Sequence, residues 1–315
     1  MPRKVLLVLG LLLVLAAPAP AHALSPSVTV GIGDQKPGMF FDERFTKLGI
    51  ADARIVVPWD WRTIRWQAGE VDAWMKAAQR FGVRTLVTFS HSRGKGRRRV
   101  LPKPERFKLE FRKFRRKYPW AKTFTVWNEA NHCGEPTCRR PKLIAAYYRK
   151  LRQACKHCTL IPAELLDTPN MVRYARDVRR AMRFEPKIWG LHNYVDVNRR
   201  STRRTRQLLR AVKGRIWLTE TGGIVKRRNR RKETIGFREG TKHAARVTRF
   251  VFRDVVGLSS RIQRVYLYHW DTNTSGPKDS WDSALIGPRG PRPAFSVLKW
   301  TLKRQRVLRA RARGG

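Results

Sequence analysis

Apolar positions in this chain fall into two alternating patterns. Short runs rich in β-branched residues recur at 27–32, 53–57, 84–89, 123–126, 159–163, 188–191, 215–218 and 264–268. They are apolar at most positions, as strands covered on both faces are. Between them, apolar residues return at helical spacing. In the segment 71–81, Val71, Trp74, Ala77, Ala78 and Phe81 share one face. The segments 107–118, 139–151, 171–182, 244–256 and 294–308 read the same way. Eight strands alternating with helices predict a (β/α)8 TIM barrel, an α/β fold. No long polar linker divides 24–308, so a single catalytic-size barrel is expected there, with a basic tail at 309–315. An open doubly wound sheet is the competing arrangement, but no Gly-x-Gly-x-x-Gly follows any strand.

The first 23 residues follow neither pattern. Arg3 and Lys4 precede an apolar run at 5–17 that is too short to span a bilayer. Ala21-His22-Ala23 then supplies small residues where a signal peptidase reads. Residues 1–23 are expected to be a secretory signal cut after Ala23, leaving a secreted chain with no membrane segment. Outside the cytosol, cysteines default to disulfides. Cys133 and Cys138 sit before the helix at 139–151, and Cys155 and Cys158 sit after it. About 20 Å of helix separates the two pairs, so two local bridges, 133–138 and 155–158, are predicted. The same separation argues against a four-thiol zinc site.

In a barrel, the C-terminal ends of the strands build the site. Here those ends read Gly33-Asp34, Trp59-Asp60, His91, Asn128-Glu129, Glu164, His192 with Tyr194, Glu220, and His269-Trp270-Asp271. Glu129 closes the fourth strand and Glu220 the seventh, so both carboxylates can face one mouth. Two opposed carboxylates about 5 Å apart are the equipment of a retaining glycosidase. Their repulsion is expected to hold the acid's pKa up. Either glutamate alone reads equally well as a rim carboxylate paired with arginine. The three histidines come from separate strands and lack metal-ligand spacing, so neither a metal nor a cofactor is expected.

These motifs resemble clan A glycoside hydrolases, the barrel group that includes family five cellulases and mannanases and family thirty-nine xylosidases. Val126-Trp127-Asn128-Glu129-Ala130-Asn131 is similar to the strand-four motif that carries the acid/base. Leu218-Thr219-Glu220-Thr221-Gly222 is similar to the strand-seven nucleophile motif. The strand-two segment with Arg54, His192-Asn193-Tyr194 and Tyr268-His269-Trp270 also resemble their counterparts. Ala130 departs from the usual Pro or Phe. The resemblance implies roles. Glu129 acts as acid and then base, with Glu220 as nucleophile. Arg54 pairs with Glu220, Asn128 donates to the sugar 2-hydroxyl, and Tyr194 donates to Glu220. His192 shapes the wall and Trp270 floors the subsite of the scissile sugar; His91 is expected to touch substrate from its own place at the strand-three end. Trp59, Trp61 and Trp281 lie in loops near the mouth and could stack on sugar.

Charge adds one more feature. The chain has 69 Lys+Arg against 23 Asp+Glu, a formal net charge of +46. Basic clusters at 93–99, 199–206 and 226–232 follow strands three, six and seven, where they would ring the cleft. An acidic glycan as substrate, or an anionic cell-wall polymer as anchor, fits such a ring. So does a general arginine bias. Nucleic acid is the rival partner, but no recognised nucleic-acid module is present and the basic runs carry few aromatics. Two functions therefore stand: a secreted, monomeric retaining glycoside hydrolase, or a glycan-binding barrel without catalysis.

Overall fold

The computed structural model describes residues 25, 27–228, 236–272 and 281–314. The expected signal peptide lies outside them. The central sheet contains β1 (Thr29–Gly33), β2 (Asp52–Pro58), β3 (Arg84–Ser90), β4 (Thr123–Thr125) and β5 (Thr159–Ile161). It continues with β6 (Glu164–Leu166), β7 (Ile188–His192) and β8 (Arg215–Thr221). The two-residue β9 (Lys226–Arg227) lies outside the sheet, which ends with β10 (Ile262–Tyr268). Every pairing within the sheet is parallel, in the order β5-β4-β3-β2-β1-β10-β8-β7-β6.

The two ends of that order are halves of one stave. Pro162 brings no N–H, so the ladder breaks between β5 and β6. Glu164 N–H donates to the Trp127 carbonyl at 3.0 Å, and Gly190 N–H donates to the Ala163 carbonyl at 3.1 Å. These bonds carry the stave across the break and close an eight-stave barrel, as the eight apolar runs predict.

Helices cover the outside. β1 is followed by α1 (Gly38–Phe41) and α2 (Glu43–Leu48), β2 by α3 (Arg65–Arg80) and β3 by α4 (Pro104–Lys117). Then come α5 (Pro141–Ala154), α6 (Met171–Met182), α7 (Tyr194–Asn198), α8 (Arg203–Ala211), α9 (Thr241–Phe250) and α10 (Pro293–Gly314). α9 runs on through a π turn at Val251–Val255 and a 3-10 turn at Val256–Leu258. α10 extends through Gly314, which takes in most of the segment expected as a tail. Beyond β10, β11 (Trp281–Asp282) pairs with β9, and β12 (Ile286–Gly287) with β13 (Gly290–Pro291). No helix among the described residues is long and apolar enough to cross a membrane.

α8 corrects the sequence reading. The basic run at 199–206 was expected as one loop, yet Arg203, Arg204 and Arg206 lie in this helix. Only Thr205, Leu208 and Ala211 are buried on it, too thin an apolar stripe to stand out among arginines. Its start is capped from a distance: the buried Asp196 carboxylate accepts N–H bonds from Arg204 and Thr205. Asp167 accepts the N–H groups of Val195 and Asp196 in the same way, at the start of α7.

Both cysteine pairs form disulfides, with Cα separations of 4.9 Å for Cys133–Cys138 and 5.5 Å for Cys155–Cys158. They flank α5, as its position in the sequence requires.

The core between sheet and helices is aromatic on the β3–α4 side. The Phe89 ring lies 5.3, 6.1 and 5.7 Å from those of Phe107, Phe111 and Phe114, and 6.4 Å from that of Phe124. Phe89 is completely buried at the centre of this cluster. Replacing it by alanine should cost about 3–5 kcal/mol, because four surrounding rings cannot all collapse into the gap. Chemical unfolding measures this. A loss under about 1 kcal/mol would show that the cluster does not hold the barrel wall.

Candidate active site

The mouth of the barrel is organised by a cation beneath it. Arg54, on β2, has no solvent exposure. A guanidinium stays charged and cannot be left unpaired in a low-dielectric interior. Every nitrogen that carries a proton there has a partner. Nη1 donates to Glu220 Oε2 at 2.8 Å, and Nε donates to Glu164 Oε1 at 3.1 Å. Nη2 donates to Glu164 Oε2 at 2.5 Å and to Asn128 Oδ1 at 2.8 Å. Thr88 and Thr125 hydroxyls donate to Glu164 Oε1 at 2.7 and 3.1 Å. Gly190 leaves the space Glu164 occupies: a Cβ there would meet Glu164 Cγ at 2.6 Å.

His192, at the end of β7, is also fully buried and joins the carboxylates. Its Nε2 is 3.2 Å from Glu164 Oε2, and its Nδ1 is 3.2 Å from Glu129 Oε1 and 4.0 Å from Glu220 Oε2. Glu129 and Glu220, from opposite sides of the barrel, therefore meet over one ring nitrogen. The Tyr194 hydroxyl donates to Glu220 Oε1 at 3.0 Å. The side chains of Glu129 and Glu220 are 22% and 14% exposed while Glu164 is sealed. Exposure thus separates two cleft carboxylates from one interior carboxylate. Glu129 also has φ 42°, a left-handed conformation that non-glycine residues seldom adopt and that often marks a working side chain.

No family model matches the chain, and no curated protein matches it. Solved structures match its fold. One is a GH5_18 protein from Streptomyces cattleya in complex with GlcNAc, at 16% identity and TM-score 0.60 over 90% of this chain and 81% of that one. Another is a psychrophilic family 10 endo-β-1,4-xylanase, at 12% identity and TM-score 0.62 over 87% and 96%. A third is the exo-β-1,4-mannosidase Op5Man5 from Opitutaceae bacterium strain TAV5, at 11% and 0.63 over 94% and 63%. The fold is one these glycoside hydrolases share.

Within that fold, Arg54, Asn128, Glu129, His192, Tyr194 and Glu220 come together at the mouth. His91 lies beside them on the β3 end, with Nδ1 2.7 Å from Glu135 Oε1. The Glu135 carboxylate, buried inside the Cys133–Cys138 loop, also accepts from Trp127 Nε1 at 3.0 Å. The first disulfide therefore closes the loop whose glutamate fixes both a rim histidine and the tryptophan before Glu129. Among the described residues no cluster of His, Cys, Asp or Glu is arranged to hold a metal ion.

Three tryptophans expected near sugar are core residues instead. Trp270 has no exposure: its indole N–H donates to Asp42 at 2.9 Å, and its ring packs on Phe45 and Phe295. β10 ends at Tyr268, so in–out alternation no longer places the ring two residues on. Trp59 and Trp61 are buried too, Trp61 against Phe114 and Tyr118. Two other aromatics stand by the glutamates: Tyr268, which was not among the expected ones, and Trp281, which was. Tyr268 lies close to Glu220 and Glu129, and burial followed by the Glu220 charge pushes its hydroxyl up. Trp281 packs edge-on against Tyr194, ring centroids 4.9 Å apart, with the Arg227 guanidinium over its face. Glu164 was visible as a strand-end residue, but nothing local in the sequence marked it as the partner of Arg54.

Protonation follows from these contacts. Burial acts to raise Glu164, but Arg54 and His192 outweigh it and hold that carboxyl at about 2. Burial acts to lower His192, yet Glu220, Glu129 and Glu164 raise it to about 9. Glu129 is raised by burial and lowered by the His192 bond and charge, and it ends below the ordinary glutamate value. The expectation of an elevated acid is thus reversed by an imidazolium that stands between the two carboxylates.

The sign of the stability effect is fixed by these directions. A raised histidine stabilises the fold fully below its unfolded value near 6.5, and that contribution is lost as pH rises through about 9. The Glu164 contribution is present above its unfolded value near 4.5 and is lost as pH falls towards about 2. In thermal midpoints recorded against pH, His192→Asn should flatten the alkaline limb between pH 6.5 and 9 while the acid limb remains. An unchanged alkaline limb in the variant would place the titrating group elsewhere.

Proposed function

We propose that the chain is a secreted, monomeric retaining glycoside hydrolase that cleaves O-glycosidic bonds of a polysaccharide or oligosaccharide. The observation that carries this reading is the meeting of two cleft carboxylates, Glu129 and Glu220, at His192 Nδ1 above a buried arginine. Structures of similar fold whose names describe a xylanase and a mannosidase support it, and the N-terminal signal pattern supports secretion.

In this mechanism Glu220 attacks the anomeric carbon and forms the glycosyl-enzyme. Arg54 and Tyr194, bonded to opposite oxygens, hold its carboxylate in one orientation. Glu129 gives a proton to the leaving oxygen and later takes one from water. In the Asn128 amide the oxygen is occupied by Arg54, which leaves the NH2 group as a donor for a sugar hydroxyl. The His192–Glu129 pair holds the proton that Glu129 must deliver, and a sugar entering the cleft has to loosen that bond.

The lowered Glu129 favours one other reading, a barrel that binds glycan without cleaving it. Activity on neutral and acidic glycans separates the two. Glu220→Ala and Glu129→Ala should each reduce turnover at least about a thousandfold. Azide should restore Glu220→Ala and yield a glycosyl azide. An absence of turnover in the intact chain, with glycan binding unchanged in both variants, would leave the binding barrel.

A further inference from the structure

Beside the cleft lies a second concavity of about 550 Å³, within the size range of small-ligand sites. Arg199, Arg200, Arg238 and Arg246 line it, with Asn198 and Phe237. None of these four arginines forms an ion pair with a carboxylate among the described residues. Other cleft-side arginines do: Arg93 pairs with Glu70 at 2.8 Å, Arg97 with Asp60 at 3.3 Å, and Arg228 with Glu239. Glu239, the neighbour of Arg238 in sequence, has its carboxylate taken by Arg228 and by the Arg227 N–H. Four like charges converging on one hollow repel each other, and an anion placed among them reverses that energy. The buried His243 at the same wall is lowered by its burial and then by Arg246 and Arg238, which is the response to an uncompensated positive field.

The hollow is coupled to the cleft by short contacts. α7 carries Tyr194 at one end and Asn198 at the other, about 6 Å apart along the axis. Tyr194 touches Glu220, while Asn198 lines the hollow and donates to the Gly222 carbonyl at 3.0 Å. The Phe237 ring has Arg199 5.6 Å from its centre and Arg227 5.2 Å from it. Arg227 also lies over Trp281, which packs on Tyr194. One continuous wall thus runs from the nucleophile to the arginines.

We propose that this arginine-lined hollow is a subsite for an anionic substituent, a carboxylate, sulfate or phosphate, on a polysaccharide whose neighbouring sugar lies in the cleft. The substrate class is then an acidic glycan, which rests on the glycosidase reading for the cleft. Guanidinium groups suit this task because they bind planar or tetrahedral oxyanions through paired donors.

The test compares the chain carrying Arg199→Gln, Arg200→Gln, Arg238→Gln and Arg246→Gln with the parent. Both are made in a Glu129→Gln background so that turnover does not intervene. All four arginines are exposed, so the fold should tolerate the change. Calorimetry measures oligogalacturonate, a sulfated oligosaccharide, a phosphorylated one, a neutral one of equal length, inorganic phosphate and duplex DNA. The parent should bind at least one acidic oligosaccharide about tenfold or more tighter than the neutral one, the difference one charge-assisted bond makes. The quadruple variant should lose that preference and keep its neutral-sugar affinity. The acidic arms identify the group recognised. Retention of the preference in the variant, or its absence in the parent, overturns the proposal. An equal loss for DNA or free phosphate overturns it too, because the hollow would then be a general anion surface. If arginine-dependent binding persists while the unmodified chain turns over no glycan, the glycosidase reading fails and the subsite stands.

Discussion

A cation that cannot lose its charge sits where water cannot reach it, and the mouth of this barrel is built around that fact. Burying an ion without a partner costs several kcal/mol, so Arg54 fixes which side chains must surround it. Glu164 comes from β6, Glu220 from β8 and Asn128 from the end of β4. Each must arrive from a different part of the closed sheet. The stave register is therefore set from inside as well as by apolar packing, since a one-residue slip would turn a carboxylate outward and strand the guanidinium. The break at Pro162 belongs to the same arrangement: β6 starts at Glu164, which points inward.

The network also divides three glutamates by environment. Glu164 is sealed, bonded through both oxygens to Arg54, and further held by two threonines. Its bonds are consumed and it has no surface for a ligand. Glu220 gives one oxygen to Arg54 and the other to Tyr194 but keeps some exposure. Glu129 bonds to no arginine and is held by two imidazoles, His192 at 3.2 Å and His132 at 3.6 Å, the most easily exchanged of these contacts. A group that must pick up and release protons needs this looser attachment, whereas a group that must stay oriented needs the two-sided one. On the glycosidase reading proposed above, the two cleft carboxylates are held as differently as their proposed tasks require.

Much of this was legible in the sequence because parallel strands covered on both faces read as continuous apolar runs, and their last residues stand out as the first polar ones. Glu129, Glu220, His91 and His192 stand out in the sequence for this reason. What escaped notice is decided by contacts over long sequence distances. Glu164 follows an apolar run like any strand-end residue, and only its separation of 110 positions from Arg54 gives it meaning. Glu135 sits in a disulfide loop and looks like a surface charge until the fold turns it under Trp127. Trp270 failed for the opposite reason. Its neighbours in sequence suggested the cleft, but the strand had already ended, and Asp42 in the loop between α1 and α2 claims its indole. α8 was hidden by its arginines, and its start is capped by Asp196 eight residues upstream of Arg204.

The unequal charge count explains why so few acids remain on the outside. With 23 acidic residues against 69 basic ones, carboxylates are outnumbered threefold. The fold nonetheless places Asp52, Asp60, Glu110, Glu135, Glu164 and Asp196 in the interior, where they hold strands, caps and loops. An unpaired arginine on this surface is therefore ordinary and says nothing by itself. What carries information is curvature. On a convex surface such charges spread into water and are screened within about 8–10 Å. Where four converge on a hollow whose wall leads to Glu220, they reinforce one another instead, and the molecule's general excess of charge becomes a local preference for one kind of ligand.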